Sequence, residues 1–392
     1  MSPQTPSAPL RVLVAGGGVA AVEAVLALHA LAGERVAIEL LAPSQDFVER
    51  PMSVVSPFTG TPAPRLSLAG LDGIGVRRHP GALASVEPDT HEIRTTDGGR
   101  LGYDRLLVAP GARPVEGIPG ATTFRGPISA GAVEGALRGA RSRALFVAPP
   151  GCGWPLPLYE LALLATQEFP DGPDIAIVSS EPRPLDIFGR VASDALARLL
   201  HRAGIEFLPN LVPVEVDFGL VTEDGRTLHA DAVIALPTLR GPSIGGLPAD
   251  EHGFIPVDRH CRVAGVGDVF AAGDATVGPV KQGGLAAQQA DAAAELIAAE
   301  AGAPVTPRPC RRILRGVVLT GEAPLYLRRD LDDDDALTRP LRDVPRGVSR
   351  VGLWWPKGKI AGRYLTGFLA AGGEPGDRLA DRPPRRPINT PS

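Results

Sequence analysis

Gly16-Gly17-Gly18-Val19-Ala20-Ala21 is the first stretch whose residue types and spacing suit a chemical task. It reads Gly16-x-Gly18-x-x-Ala21. Gly16 permits a tight turn, Gly18 lets a phosphate approach the backbone, and Ala21 is small enough for a helix to pack on the preceding strand. The helix beginning there offers free N–H groups and the positive end of its dipole, so the chemistry is capture of a pyrophosphate. Glycines also fill ordinary turns, and what singles these out is their place between a strand and a helix. A second stretch, Val269-Phe270-Ala271-Ala272-Gly273-Asp274-Ala275-Thr276, ends a strand in Gly-Asp. It leads through Lys281-Gln282-Gly283-Gly284 into another helix, over Gln282–Leu296. Alone, Asp274 would be a turn residue capping a helix.

The elements that must position these residues follow from the apolar spacing. Arg11–Ala15 is a short apolar strand, and a helix runs from Val22 to Leu31 with Val22, Val25, Leu26 and Leu28 on its apolar face. Arg35–Leu41 returns as a second strand, which completes a βαβ unit with a glycine-rich first turn. The plan restarts at Arg143: strand Ala144–Ala148, helix Pro155–Gln167, strand Asp174–Ser179, helix Ala192–Ala203. Each half then carries an Asp-Gly turn and a buried strand. Asp97-Gly98-Gly99-Arg100 leads to Tyr103-Asp104 and on to Ala109-Pro110, and Asp224-Gly225-Arg226-Thr227 leads to Ala230-Asp231 and on to Leu236-Pro237. Asp97 precedes Asp104 by the same interval at which Asp224 precedes Asp231. Strand, phosphate turn, helix and meander recurring in order form an internal repeat. The expected fold is α/β, two Rossmann-like units each with a β-meander, plus a C-terminal region. The expected divisions are 1–113, 114–240, 241–300 (back to the first unit through Gly241-Pro242 and Gly245-Gly246) and 301–392, ending in a disordered tail, Arg382–Ser392.

Composition narrows the function. The chain has 392 residues and a net charge of −4, with no basic surplus to neutralise phosphates, so nucleic acid is not an expected partner. Met1–Pro9 lacks the basic and apolar regions of a signal peptide, and no run of 18 apolar residues occurs. The expectation is a cytoplasmic protein, with at most peripheral contact at the inner face of a membrane. Three cysteines do not make a disulfide framework. The histidines lack ligand spacing, and Asp330–Asp335 reads as a solvated acidic loop, so no metal is expected.

Together the two fingerprints resemble those of FAD-binding two-domain flavoproteins, and the duplicated layout resembles the flavoprotein disulfide-reductase superfamily. The likeness runs from about Leu10 to Leu369, and the chain is most similar to the sulfide:quinone oxidoreductase-like branch, with type II NADH dehydrogenases also similar. It implies FAD as cofactor, bound by Gly16, Gly17, Gly18, Val19, Ala20 and Ala21. By the same likeness Gly273 and Asp274 hold the ribityl–pyrophosphate region, and the N-terminus at Lys281, Gln282 and Gly283 stabilises negative charge on the flavin pyrimidine. Ala109-Pro110-Gly111 resembles the family's Ala-Thr-Gly crossover, with Pro110 in place of Thr. Phe47–Pro51, with Arg50-Pro51, resembles the segment after the second strand. Tyr159-Glu160 resembles the Tyr-Glu of sulfide:quinone oxidoreductases. Glu160 either relays a proton or is a helix-dipole partner.

Three departures temper the likeness. The slot for the ribose-binding acid is Ala42; either Glu39 or Ser44 substitutes, or backbone and water hold the ribose. The second phosphate turn reads Ala148-Pro149-Pro150-Gly151-Cys152-Gly153-Trp154-Pro155, which would cradle a pyrophosphate poorly because Pro lacks an N–H and Trp is bulky. Where the family has a cysteine before Tyr-Glu this chain has Trp154, with Cys152 two residues too early and Cys310 near the family's distal cysteine. Cys152 and Cys310 are either a sulfur-active pair or inert thiols, and Cys261 reads as a small surface or packing residue.

The reading is an FAD-dependent oxidoreductase that passes two electrons from a small-molecule donor to a quinone or similar acceptor. The alternatives are an NAD(P)H-dependent reductase with a degenerate turn and a non-catalytic flavoprotein serving as a binding partner. Trp354-Trp355, Tyr364, Phe368 and Leu369 either cover the flavin and line a quinone site or close the C-terminal core. Beside Lys357, Lys359 and Arg363 they would give at most a weak, salt-sensitive membrane contact.

Overall fold

Leu10–Ala15 ends in four buried residues, as a central parallel strand with both faces covered requires. In the computed structural model, which describes residues 8–331, 347–373 and 380–381, it is the middle of a five-stranded parallel sheet. Val36–Ala42 and Arg77–Pro80 follow on one side, Arg105–Val108 and Val269–Ala271 on the other. Helices Val19–Ala32 and Gly283–Glu300 cover one face and share one core. Alanines at their contact let them approach closely.

The second unit repeats the plan. Arg143–Val147 lies between Asp174–Val178 and Ala232–Ala235, with Glu206–Leu208 and Thr122–Thr123 at the edges, all parallel. The shared Asp spacing has a physical basis. Asp104 Oδ2 accepts the Arg11 N–H at 2.8 Å while its own N–H donates to the Arg11 carbonyl at 2.9 Å. Asp231 repeats this at Arg143, at 3.1 and 2.8 Å. Each aspartate thus pins the entry of its central strand to the strand leading out. The Asp-Gly turns match too, with the Gly98 N–H on the Thr95 carbonyl and the Gly225 N–H on that of Thr222.

Arg113–Val115 leaves the first unit and pairs antiparallel with the returning Thr238–Arg240. Beyond it, Gly245 bridges Ser85 of the first meander. Ile313–Val318 and Leu325–Asp330 then form a hairpin whose Leu314, Val318, Leu325 and Leu327 join the second unit's core. Ile360, Tyr364, Leu365 and Phe368 instead join the first unit's core. The C-terminal region therefore ties the two units together. The tail expected to be disordered, and residues 332–335 of the acidic loop, lie outside the described residues.

Candidate functional site

Three loops meet at the carboxyl ends of the first sheet: Gly16–Gly18, Ala109–Gly111 and Gly273–Asp274. Gly16 has φ +147°, and a Cβ there would stand 2.1 Å from the Ala109 carbonyl oxygen, so no other residue fits. Ala109 in turn donates to the Ala15 carbonyl at 2.8 Å, which fixes the crossover segment above the turn. Gly18 faces open space and caps Val19–Ala32 without a side-chain bond. The N–H groups of the first helical turn (Val19, Ala20 and Ala21) are thereby left for a ligand. A Cβ on Gly283, at the start of Gly283–Glu300, would lie 3.8 Å from Val19 Cγ2. Two helix N-termini consequently face one space, which suits a diphosphate.

Asp274 supplies the polar wall. Among the described residues no hydrogen bond reaches its carboxylate; its neighbours are charges, Lys281 and Arg50. Burial pushes its pKa up, and Lys281 and then Arg50 oppose the shift. A largely buried acceptor without a donor calls for hydroxyls, which a ribityl chain carries. With the converging N-termini this set fits FAD.

Other expected contacts are deployed differently. Lys281 donates its ammonium to the Thr276 carbonyl and lies 3.7 Å from the centre of the Phe254 ring, and its backbone N–H donates to Gly153 at 3.1 Å. Burial lowers its pKa to about 8. Gln282 caps the helix, accepting from the Leu285 N–H at 2.8 Å and donating to the Arg315 carbonyl at 2.8 Å. At this terminus Gly283 and Gly284 keep the free N–H groups. Glu39 is hydrogen-bonded to His79 of the neighbouring strand, three residues before the strand's end at Ala42. Ala42 itself stands beside Gly17.

At the other end of the site Glu160 is fully buried. Its Oε1 accepts the Leu319 N–H at 2.9 Å and its Oε2 accepts Lys359 Nζ at 2.7 Å. Lys359 also donates to the Pro51 carbonyl at 2.7 Å, which links the pair to the Arg50-Pro51 segment. Next to it, Ile360 packs against Gly283. Desolvation raises the Glu160 pKa and Lys359 opposes the rise. The same balance acts on Glu49. Lys359 was legible only as one of two lysines beside an aromatic stretch, and its burial removes it from any basic membrane edge.

The second phosphate turn is filled. Trp154 packs edge-on against Phe188 at 5.8 Å, Cys152 N–H bonds the Pro149 carbonyl at 3.1 Å, and the Gly153 carbonyl is taken by Lys281. Glu181, just past the strand Asp174–Val178, accepts the Tyr159 hydroxyl at 3.1 Å, and burial pushes its pKa up to about 7. Cys152 and Cys310 attach to different cores, and the thiol that meets Cys310 is that of Cys261. Burial pushes Cys152 up to about 11.

Residues 10–294 match the model of a family described as pyridine nucleotide-disulphide oxidoreductase. The chain belongs to that family. It is an FAD-binding oxidoreductase. Among curated proteins, this family member is 31% identical over 212 residues to the ferredoxin–NAD(+) reductase component of the anthranilate 1,2-dioxygenase system of Burkholderia cepacia, covering 49% of this chain and 48% of that one. It is 27% identical over 215 residues to apoptosis-inducing factor 3 of Mus musculus, covering 50% and 34%. The chain thus spans half or less of the length of these relatives. Its fold resembles the sulfide:quinone oxidoreductase of Aquifex aeolicus, with TM-score 0.72, 19% identity and coverage of 82% and 84%. It also resembles putidaredoxin reductase in its covalent complex with putidaredoxin, at TM-score 0.63, 20% identity and coverage of 83% and 82%. No helix among the described residues is long and apolar enough to cross a membrane.

Proposed function

We propose that this flavoprotein takes two electrons from a small donor other than a nicotinamide and delivers them to a quinone or similar acceptor. The reading rests on the second phosphate turn. Pro149, Pro150 and Pro155 offer no N–H groups there, and Trp154 and Lys281 occupy its flanks. FAD, when bound, supplies the two-electron chemistry. The chain's own work is to orient it with Gly16–Ala21 and Asp274, and to keep Glu160, a buried acceptor of the Lys359 ammonium, poised to take up a proton. Neither Cys152 nor Cys310 is assigned a sulfur-transfer step with the other. Sulfide is the first donor to try, given the fold likeness.

A second reading, an NAD(P)H-dependent reductase serving a small electron-carrier protein, is favoured by the likeness to the 31% identical ferredoxin–NAD(+) reductase component. Membrane contact, if the acceptor is lipid-soluble, is weak and salt-sensitive. Trp355 is exposed but Trp354, Ile360 and Phe368 are spent on the core. Steady-state reduction of a short-chain quinone separates the readings. Turnover with sulfide and not with NADH or NADPH supports the first, and turnover with either nicotinamide alone supports the second.

A further inference from the structure

Cys261 sits in a tight turn. Its N–H donates to the Asp258 carbonyl at 3.0 Å, while Asp258 Oδ1 takes the N–H groups of His260 at 2.8 Å and Arg262 at 2.9 Å. This turn holds Cys261 at φ +66°, a left-handed conformation uncommon for any residue but glycine. The Cys310 N–H donates to the Arg259 carbonyl at 2.8 Å, inside the same turn, its thiol donates to the Arg311 carbonyl at 3.7 Å, and it stands close enough to the Cys261 thiol to raise that group's pKa. Both line a cavity of about 690 Å³ that Asp274 and Lys281 also line. Cys261 is buried and Cys310 only partly so, which gives the pair an open and a shielded member.

We propose that Cys261 and Cys310 are a dithiol site, which a small disulfide entering through this cavity oxidises to an intramolecular disulfide. Cys310, as thiolate, attacks one sulfur of the small disulfide, breaking its S–S bond and releasing one small thiol, which takes up the Cys310 proton. Cys261, losing its proton, then attacks Cys310 Sγ and releases the second small thiol. Two protein thiols are oxidised and one small disulfide is reduced to two thiols. The neighbouring Cys310 side chain and burial both hold the Cys261 thiol well above its usual range, so the second step quickens as pH rises. The bridge would brace the flavin site directly. The Cys261 carbonyl accepts the Ala271 N–H at 2.9 Å, and that strand runs into Gly273-Asp274. Neither the donor nor the acceptor proposed above enters this inference.

The test exposes the flavin-loaded protein to excess oxidised glutathione at mildly alkaline pH, followed by unfolding, alkylation and mass analysis. The expected product has a mass lower by about 2 Da, one alkylatable cysteine (Cys152) and a linked Cys261–Cys310 peptide, all reversed by dithiothreitol. Cys261→Ser should stop at a glutathione adduct on Cys310, and Cys310→Ser should yield neither adduct nor bridge. Three alkylatable thiols after prolonged exposure, an unresolved adduct on Cys310 in the parent protein, or a bridge to Cys152 would each overturn the proposal.

Discussion

Replacing Lys359 with Met removes the one cation that touches Glu160 among the described residues. The pair is 2.7 Å apart, with the Glu160 side chain fully inaccessible and that of Lys359 8% exposed. Among the described residues the substitution leaves the Leu319 N–H as the only bond to the buried carboxylate. Truncating one partner of such a pair costs about 3–5 kcal/mol, because the remaining charge is buried and uncompensated. An exposed pair would cost about 0–1 kcal/mol. The Glu160 carboxyl should respond by titrating still higher, since desolvation already raises it and Lys359 is the main opposing influence. Chemical denaturation of the flavin-loaded protein measures the loss, and the double variant Glu160→Gln/Lys359→Met should recover most of it by deleting both charges. A loss in Lys359→Met below about 1 kcal/mol, or no recovery in the double variant, would refute the claim of a desolvated pair.

Gly18→Val should leave the fold intact, since no atom lies within 4 Å of the added Cβ, yet it should lower FAD occupancy, as should Asp274→Ala; absorbance of the released flavin per chain checks both. Glu23, fully buried, accepts the N–H groups of Tyr364 at 2.8 Å and Leu365 at 2.6 Å; burial raises its pKa, and burial together with the Glu23 charge raises that of Asp291 beside it. The folded protein then binds more protons than the unfolded chain above the ordinary carboxylate range. Stability from the pair is full below that range and falls as pH rises through the raised values. Denaturation from pH 4 to 7 should show that slope, and the double variant Glu23→Gln/Asp291→Asn should flatten it. Liposome co-sedimentation should give weak binding that high salt abolishes; tight binding in high salt would make the segment around Trp355 a true anchor.

The sequence was most informative where a residue's role is local or repeated. The Asp97/Asp104 and Asp224/Asp231 intervals announced the duplicated units because each aspartate closes a turn or a strand entry set by its neighbours. Gly16 was legible for the same reason. Helix starts differed by a few residues: the first helix begins at Val19, because its open end is the phosphate site and apolar spacing begins only later. What stayed hidden were pairs made by distant segments. Lys359 meets Glu160 across 199 positions, and no local spacing signals it. The sequence left Cys152 and Cys310 open between a sulfur-active pair and inert thiols, and it gave no sign that the turn Asp258–Arg262 brings Cys261 to Cys310. Lys281 was placed at the flavin by family likeness, through the N–H groups of the helix start; its own N–H meets the Gly153 carbonyl, a contact from a distant segment that no local spacing signals.

The central claim is that electrons enter the flavin from a donor other than a nicotinamide, because the turn that should cradle the nucleotide's pyrophosphate is built from prolines and packed against Trp154 and Lys281. Anaerobic rapid mixing of the oxidised protein with sulfide, NADH and NADPH in separate experiments tests it most directly, through bleaching of the flavin absorbance band. The account predicts rapid bleaching by sulfide, with only slow bleaching by either nicotinamide. Rapid bleaching by micromolar NADH or NADPH would contradict it.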